Sequence, residues 1–169
     1  MRHGSCAYVS QQAWITNATL RENILFGEKF DESRYYKAIY ASNLSQDIDM
    51  MPGGDQTEIG EKGVNLSGGQ KQRVALARAL YANRDIYFLD DPLSAVDSRV
   101  GSYIFDNFIL GALGEKTVLF VTHQIQYLNR CDDIYMMQNG RIIEHGTHEE
   151  LMKLGNEYAV MVTAISTDN

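Results

Sequence analysis

The chain has 169 residues, 44% of them apolar, and a formal net charge of −7. That length suits one domain or most of one, and the apolar share supports a packed core rather than disorder. The acidic balance, with no dense Lys/Arg tract, argues against nucleic acid as a partner.

Two cysteines, Cys6 and Cys131, stand apart with no metal or redox spacing, and fit a reducing compartment. No run approaches the roughly 20 apolar residues of a membrane span. The first residues lack the apolar stretch of a signal peptide. The chain is expected to be soluble in itself and able to dock on a membrane protein.

Cys6–Gln11 reads as a short strand. Thr19 and Glu22 form a capping box that opens a short helix, TLRENILF. Asp31–Leu44 predicts a second helix, with Tyr35 and Ile39 on one face and Tyr36 at its edge. Met51–Gly63 is rich in breakers and reads as a loop. Val64–Tyr81 then carries LSGGQ (Leu66–Gln70) at the start of a helix running to about Ala82. Val74, Ala77, Leu80 and Tyr81 form its apolar stripe.

Asp85–Asp91 is a near-continuous apolar run that ends in two carboxylates, the pattern of a strand buried on both faces. Asp97–Leu113 predicts a helix with Asp97 as N-cap. Lys116–His123 reads as another buried strand, followed by a short helix around Gln126–Arg130. Asp133–Gly146 predicts two strands around the Asn139-Gly140 turn. Thr147 and Glu150 form a further capping box, opening a C-terminal helix. Strand alternates with helix, so the fold class is α/β with a largely parallel sheet. Ligands of such sheets sit beyond the carboxyl ends of the strands, where Asp90, Asp91 and His123 fall.

The chemistry starts at LSGGQ. A capping box accounts for Ser67 and Gln70, but not for two glycines behind the cap, each about 0.8–1 kcal/mol worse than alanine in a helix. Glycines there make sense if backbone N–H groups must close on an anion such as phosphate. Asp90 reads either as a cap or turn residue or as a Mg²⁺ ligand beside phosphates. Asp91 stands where a general base or water-orienting residue sits. His123 shares the strand-end edge with both aspartates. Gln11, taken alone, reads as an ordinary solvated amide. His145 and His148 lie in a turn without a third ligand, so zinc is not expected.

Together these residues resemble the nucleotide-binding domain of an ABC transporter. LSGGQ matches the ABC signature, and Ile86–Asp90 is similar to Walker B, with Asp90 in the Mg²⁺ position. Ser94–Asp97 resembles the D-loop, His123 the switch histidine, and Gln11 the Q-loop glutamine, a second Mg²⁺ ligand. Thr57–Gly63 resembles the loop that exporters place before the signature. Ala7–Gly27 and Asp90–Asp97 are similar to the first nucleotide-binding domain of the multidrug-resistance-associated proteins, the C subfamily.

The resemblance implies a P-loop NTPase-like core, 5–16 and 83–165, with a helical signature subdomain over 17–82. It implies ATP and Mg²⁺ as cofactors. Asp91 and His123 become the catalytic residues, and Gln11, Leu66, Ser67, Gly68, Gly69, Gln70 and Asp97 the nucleotide-binding ones. The implied partners are transmembrane domains and a second nucleotide-binding domain at the cytoplasmic face of a membrane. The implied cargo is organic anions, conjugates or drugs.

Asp91 replaces the usual catalytic glutamate, so poor hydrolysis is expected. No Gly-Lys pair occurs, so the phosphate-loop motif is missing. The expectation is therefore a domain incomplete at its N-terminus, a fragment that binds ATP weakly by its own site and is marginally stable. Two alternatives remain: a non-catalytic regulatory partner of an intact domain, and a soluble ABC ATPase of DNA repair or translation. The latter lacks its expected coiled-coil or basic insertions.

Overall fold

The computed structural model describes residues 4–61 and 65–167. Lys62 and Gly63, the end of the loop before the signature, lie outside the described residues. The chain divides into two compact units, one ending at Thr122 and the other beginning at His123.

The first unit is built on a three-stranded parallel sheet, ordered β1 (Cys6–Val9), β4 (Ile86–Asp90) and β5 (Thr117–Val121). Between β1 and β4 the chain forms a helical layer. It comprises α1 (Leu20–Leu25), α2 (Glu32–Ala41), α3 (Ser45–Met50) and α4 (Gly68–Tyr81). Short strands β2 (Ala18–Thr19) and β3 (Glu58–Ile59) pair antiparallel. The breaker-rich segment is thus not wholly loop: it holds β3 and a 3₁₀ turn, Gly54–Gln56. The predicted capping box of α1 forms as read, with Thr19 accepting from the Glu22 N–H and Glu22 accepting from the Thr19 N–H.

In register across the sheet, Val9, Leu89 and Phe120 share one face, and Tyr8, Phe88 and Leu119 share the other. The first face is covered: Val9, Tyr87 and Leu89 are at most 2% exposed. The second is open: Tyr8, Leu119 and Val121 are 49–63% exposed. The expectation of strands buried on both faces is corrected here. Among the helices of this unit, α4 lies against β1. A continuous apolar run records the composition of both faces but not which of them a neighbour covers.

α4 is buried more widely than its predicted stripe. Ala75, Leu76 and Ala79 join Val74, Ala77, Leu80 and Tyr81 inside. A helix enclosed by α1, α2 and β1 has little face left for water. On α2, Tyr35 and Ile39 are buried as read, whereas Tyr36 is 57% exposed.

α5 (Ser98–Ile104) starts on its predicted cap, Asp97. It does not continue as a regular α-helix. Phe105–Ala112 widens into π-helical turns, with the Leu113 N–H bonding the Phe108 carbonyl five residues back. Phe105 packs against Phe120 on the covered sheet face, ring centroids 5.9 Å apart.

The second unit opens with a 3₁₀ segment, Ile125–Arg130. The hairpin β6 (Ile134–Gln138) and β7 (Arg141–Gly146) follows. Asn139 and Gly140 both take positive φ, 49° and 74°, as the predicted tight turn requires. The expected C-terminal helix is two helices, α6 (His148–Leu154) and α7 (Glu157–Thr167). Gly155, at φ 69°, ends the first in a left-handed cap. Ile134, Leu151 and Tyr158 form the centre of this unit's core.

Candidate functional site

Two groups of predicted residues come together in the first unit. One lies at the carboxyl end of the sheet. β4 delivers Asp90 as its last residue, and Asp91 leaves the strand in the left-handed region, φ 47°. That backbone is sparsely populated by aspartate and turns the chain sharply at this point. The turn is held from both sides. The Asp91 N–H donates to the Val121 carbonyl at 2.9 Å, and the Asp91 carbonyl accepts from the Ser94 hydroxyl at 2.8 Å.

Asp91 is only 6% exposed. Its Oδ2 accepts from Gln11 Nε2 at 3.2 Å, so the glutamine and the second aspartate are direct partners. Gln11 itself lies two residues past the end of β1 and is exposed. Asp90 accepts from the Tyr8 hydroxyl at 3.1 Å, and this hydrogen bond raises the Tyr8 phenol above its ordinary range. Sequence reading missed Tyr8. Its place in register one row below Asp90 on the open face was the only available signal.

The second group is the start of α4. Ser67 is the N-cap, its Oγ accepting from the Gln70 N–H at 3.2 Å. Gln70 Oε1 accepts in return from the Ser67 N–H at 2.9 Å. The Gln70 amide nitrogen donates to Asp47 Oδ1 at 2.8 Å. Arg73 grips both oxygens of the same Asp47, at 2.8 and 2.9 Å, which fastens α3 to this end of α4. Leu66 is buried, 7% exposed, and anchors the segment entering the helix.

The two glycines differ. A methyl group on Gly69 would stand 2.9 Å from the backbone oxygen of Ala95, closer than real contacts allow. Gly69 therefore lets the helix start lie against the Ser94–Asp97 turn, within the same chain. A methyl on Gly68 would meet nothing within 4 Å. The capping box occupies the N–H groups of Ser67 and Gln70, so the amides of Gly68 and Gly69 are those a ligand can reach.

Asp97 is exposed and caps α5, accepting from the Val100 N–H at 2.9 Å. His123 is exposed and is the first residue of the second unit. There, His145 Nε2 lies 2.8 Å from Asp133 and its ring stacks on Tyr135, while His148 Nδ1 lies 2.7 Å from the Tyr158 hydroxyl.

The donor set suits the cofactors that the resemblance implies. Asp90 and Gln11 offer carboxylate and amide oxygens, the hard ligands Mg²⁺ takes. The opening of α4 offers backbone N–H groups and the positive end of a helix dipole, which suit phosphate.

A parallel sheet with an LSGGQ-opened helix and paired aspartates at the strand ends defines a class, and comparison with known proteins agrees. The ABC transporter family model matches residues 1–94, and the chain belongs to that family. Its relatives are C-family members, the multidrug resistance-associated proteins. ABC transporter C family member 12 of Dictyostelium discoideum is 52% identical over 98% of this chain and 12% of its own length. Multidrug resistance protein mrp-7 of Caenorhabditis elegans is 57% identical over 89% of this chain and 10% of its own length. Human ATP-binding cassette sub-family C member 2 is 52% identical over 92% of this chain and 10% of its own length. The chain therefore spans about a tenth of the length of these curated relatives, 10–12%. No helix among the described residues is long and apolar enough to cross a membrane.

Proposed function

We propose that these residues belong to an ATP-binding, energy-coupling domain of an ABC exporter. In this reading the start of α4 closes on the γ-phosphate of ATP held by a second nucleotide-binding domain. The observation that carries it is the opening of α4: a complete capping box around Ser67 with open space at Gly68. No described residue of the chain fills that space, and a glycine there sacrifices helix propensity. A phosphate seated on the N–H groups of Gly68 and Gly69, beside the Ser67 hydroxyl, accounts for both.

Residues 17–82 are then the helical signature subdomain, and 5–16 with 83–165 the RecA-like core. Asp90 and Gln11 would hold Mg²⁺, which shields phosphate charge when bound. Asp91 would orient the attacking water and accept its proton, and His123 is kept as a catalytic residue on the family resemblance alone. Two features argue for slow hydrolysis at this site. The carboxylate of Asp91 is one methylene shorter than a glutamate's, and Gln11 is bonded to it. In phosphoryl transfer, misplacing the base by about 1 Å costs on the order of 100-fold in rate. Transmembrane domains of the same transporter, at the cytoplasmic face of a membrane, are the partners this reading requires. Organic anions, conjugates or drugs are the proposed cargo.

The test uses the full-length transporter in vesicles. Ser67→Arg and Gly68→Asp place bulk or charge where the phosphate would sit, and each should reduce ATP-driven transport to background. Normal transport by either variant sinks the reading. In the same assay Asp91→Glu should raise ATP turnover about 10-fold; a fall in turnover would show that Asp91 is not the water-orienting group.

A further inference from the structure

The segment that carries Gln11 is held at both ends by the same helix that carries Ser67. At one end, Gln72 of α4, 1% exposed, donates from Nε2 to the Ser10 carbonyl at 3.3 Å. At the other, Arg78, 9% exposed, donates from Nη1 to the Trp14 carbonyl at 3.2 Å. The Arg78 guanidinium carbon also lies over the Trp14 ring, 3.9 Å from its centroid. Burial lowers Arg78 to about 10, which leaves it charged at neutral pH.

The Trp14 end is reinforced through Asn23, which is fully buried. Arg78 Nε donates to the Asn23 carbonyl at 2.7 Å, and Nη2 to Asn23 Oδ1 at 3.2 Å. The same Oδ1 accepts from the N–H and the hydroxyl of Thr16, each at 2.9 Å. Asn23 Nδ2 donates back to the Thr16 carbonyl at 3.0 Å. Only Gln11, Gln12 and Ala13 lie between the two attachment points. A buried arginine and a buried glutamine are expensive to place inside a protein unless their hydrogen bonds specify something. Here they specify the position of a three-residue bridge.

We infer that Gln72 and Arg78 are positioning residues that clamp the Gln11 bridge to α4. Gln11 and Ser67 then move as one body, although 56 positions of sequence separate them. A shift of Gln11 relative to Asp91 is delivered to the signature end of α4 along the buried helix itself. The clamp itself is a property of the packing. Its consequence for ATP turnover rests on the reading of Gln11 and Ser67 given above.

Backbone 15N relaxation on the chain tests the clamp without nucleotide, since the clamp bonds fall on the carbonyls of Ser10 and Trp14 and leave the amides between them without a bond to report. Gln72→Leu keeps side-chain volume and removes the donor. It should lower the order parameters of the Gln11–Trp14 amides from about 0.85 to below about 0.6, while those of Val74–Tyr81 stay at about 0.85. Trp14→Leu, at a ring 48% exposed, should do the same at the other end. Arg78→Lys keeps the charge and loses the fork, and should have the larger effect. Unchanged order parameters at Gln11–Trp14 in Gln72→Leu and Trp14→Leu overturn the inference. So does a parallel fall along all of α4, which would mark the two residues as core packing only. In the full-length transporter Gln72→Leu should lower ATP turnover with KM unchanged. A released bridge with normal turnover would leave the clamp standing and refute the role given to Gln11.

Discussion

α4 and α6 open alike and end up suited to different tasks. Each starts on a complete capping box, Ser67 with Gln70 in one and Thr147 with Glu150 in the other. In α6 the box is closed by a carboxylate, and Glu149 adds a second acidic group in the first turn. The positive end of that helix is neutralised by its own side chains. In α4 the box is closed by an uncharged amide, no acidic residue stands in the first turn, and two glycines follow the cap. Its dipole and its first amides are left to something else. A helix start that answers its own charge is structural; one that leaves it unanswered has room for an anion.

The largest effect that would sharpen this contrast separates the two glycines. Gly69→Ala drives a methyl to 2.9 Å from the Ala95 oxygen. It should destabilise the first unit by about 1–3 kcal/mol in a denaturant titration. Gly68→Ala, in open space, should instead stabilise by about 0.5–1 kcal/mol. If both alanines destabilise alike, Gly68 has an internal contact and the case for a ligand there weakens.

The cap substitutions come next. Ser67→Ala and Thr147→Ala should each cost about 1 kcal/mol of stability, measured by urea unfolding. Equal costs with transport lost only for Ser67→Ala would confirm that the two starts share a structure and differ in use.

The smallest effect is a pH dependence. Hydrogen bonds from the Thr147 backbone and hydroxyl hold the Glu150 carboxyl below the ordinary glutamate range. A depressed carboxyl contributes its stability above its unfolded pKa and loses it as pH falls through the folded value. Corrected for the slowing of intrinsic hydrogen exchange in acid, protection at the start of α6 should therefore fall as pH drops below the ordinary glutamate range. Gln70 does not titrate, so with Asp47→Asn removing the carboxylate bonded to Gln70 and Arg73, the start of α4 should keep its protection over that range. Glu150→Gln should abolish the difference; an equal acid response at both helices would show that it comes from global unfolding.

Much of this was legible in the residues because it is local. Capping boxes, the Asn139-Gly140 turn and the Asp97 cap involve groups within four positions of one another, and each formed as read. The π-helical turns at Phe105–Ala112 were not legible, since the apolar spacing is compatible with an ordinary helix and packing of Phe105 on Phe120 lies outside it. Nor was the break at Gly155, which sits between two apolar stretches that read as one.

By itself, then, the sequence determined the alternation of strand and helix, the cap at Ser67, the two carboxylates at the end of β4, and membership of a family that places them together. These depend on short-range hydrogen bonds and on the period of the apolar residues. The tertiary structure alone decided that the sheet is covered on one face, that Gln11 bonds Asp91, that Gly69 makes way for Ala95, and that Gln72 and Arg78 hold the Gln11 bridge. The last three rest on contacts between residues 26 to 80 positions apart. No periodicity or propensity records which distant atoms will meet, because the register of packing is settled only when the whole unit closes.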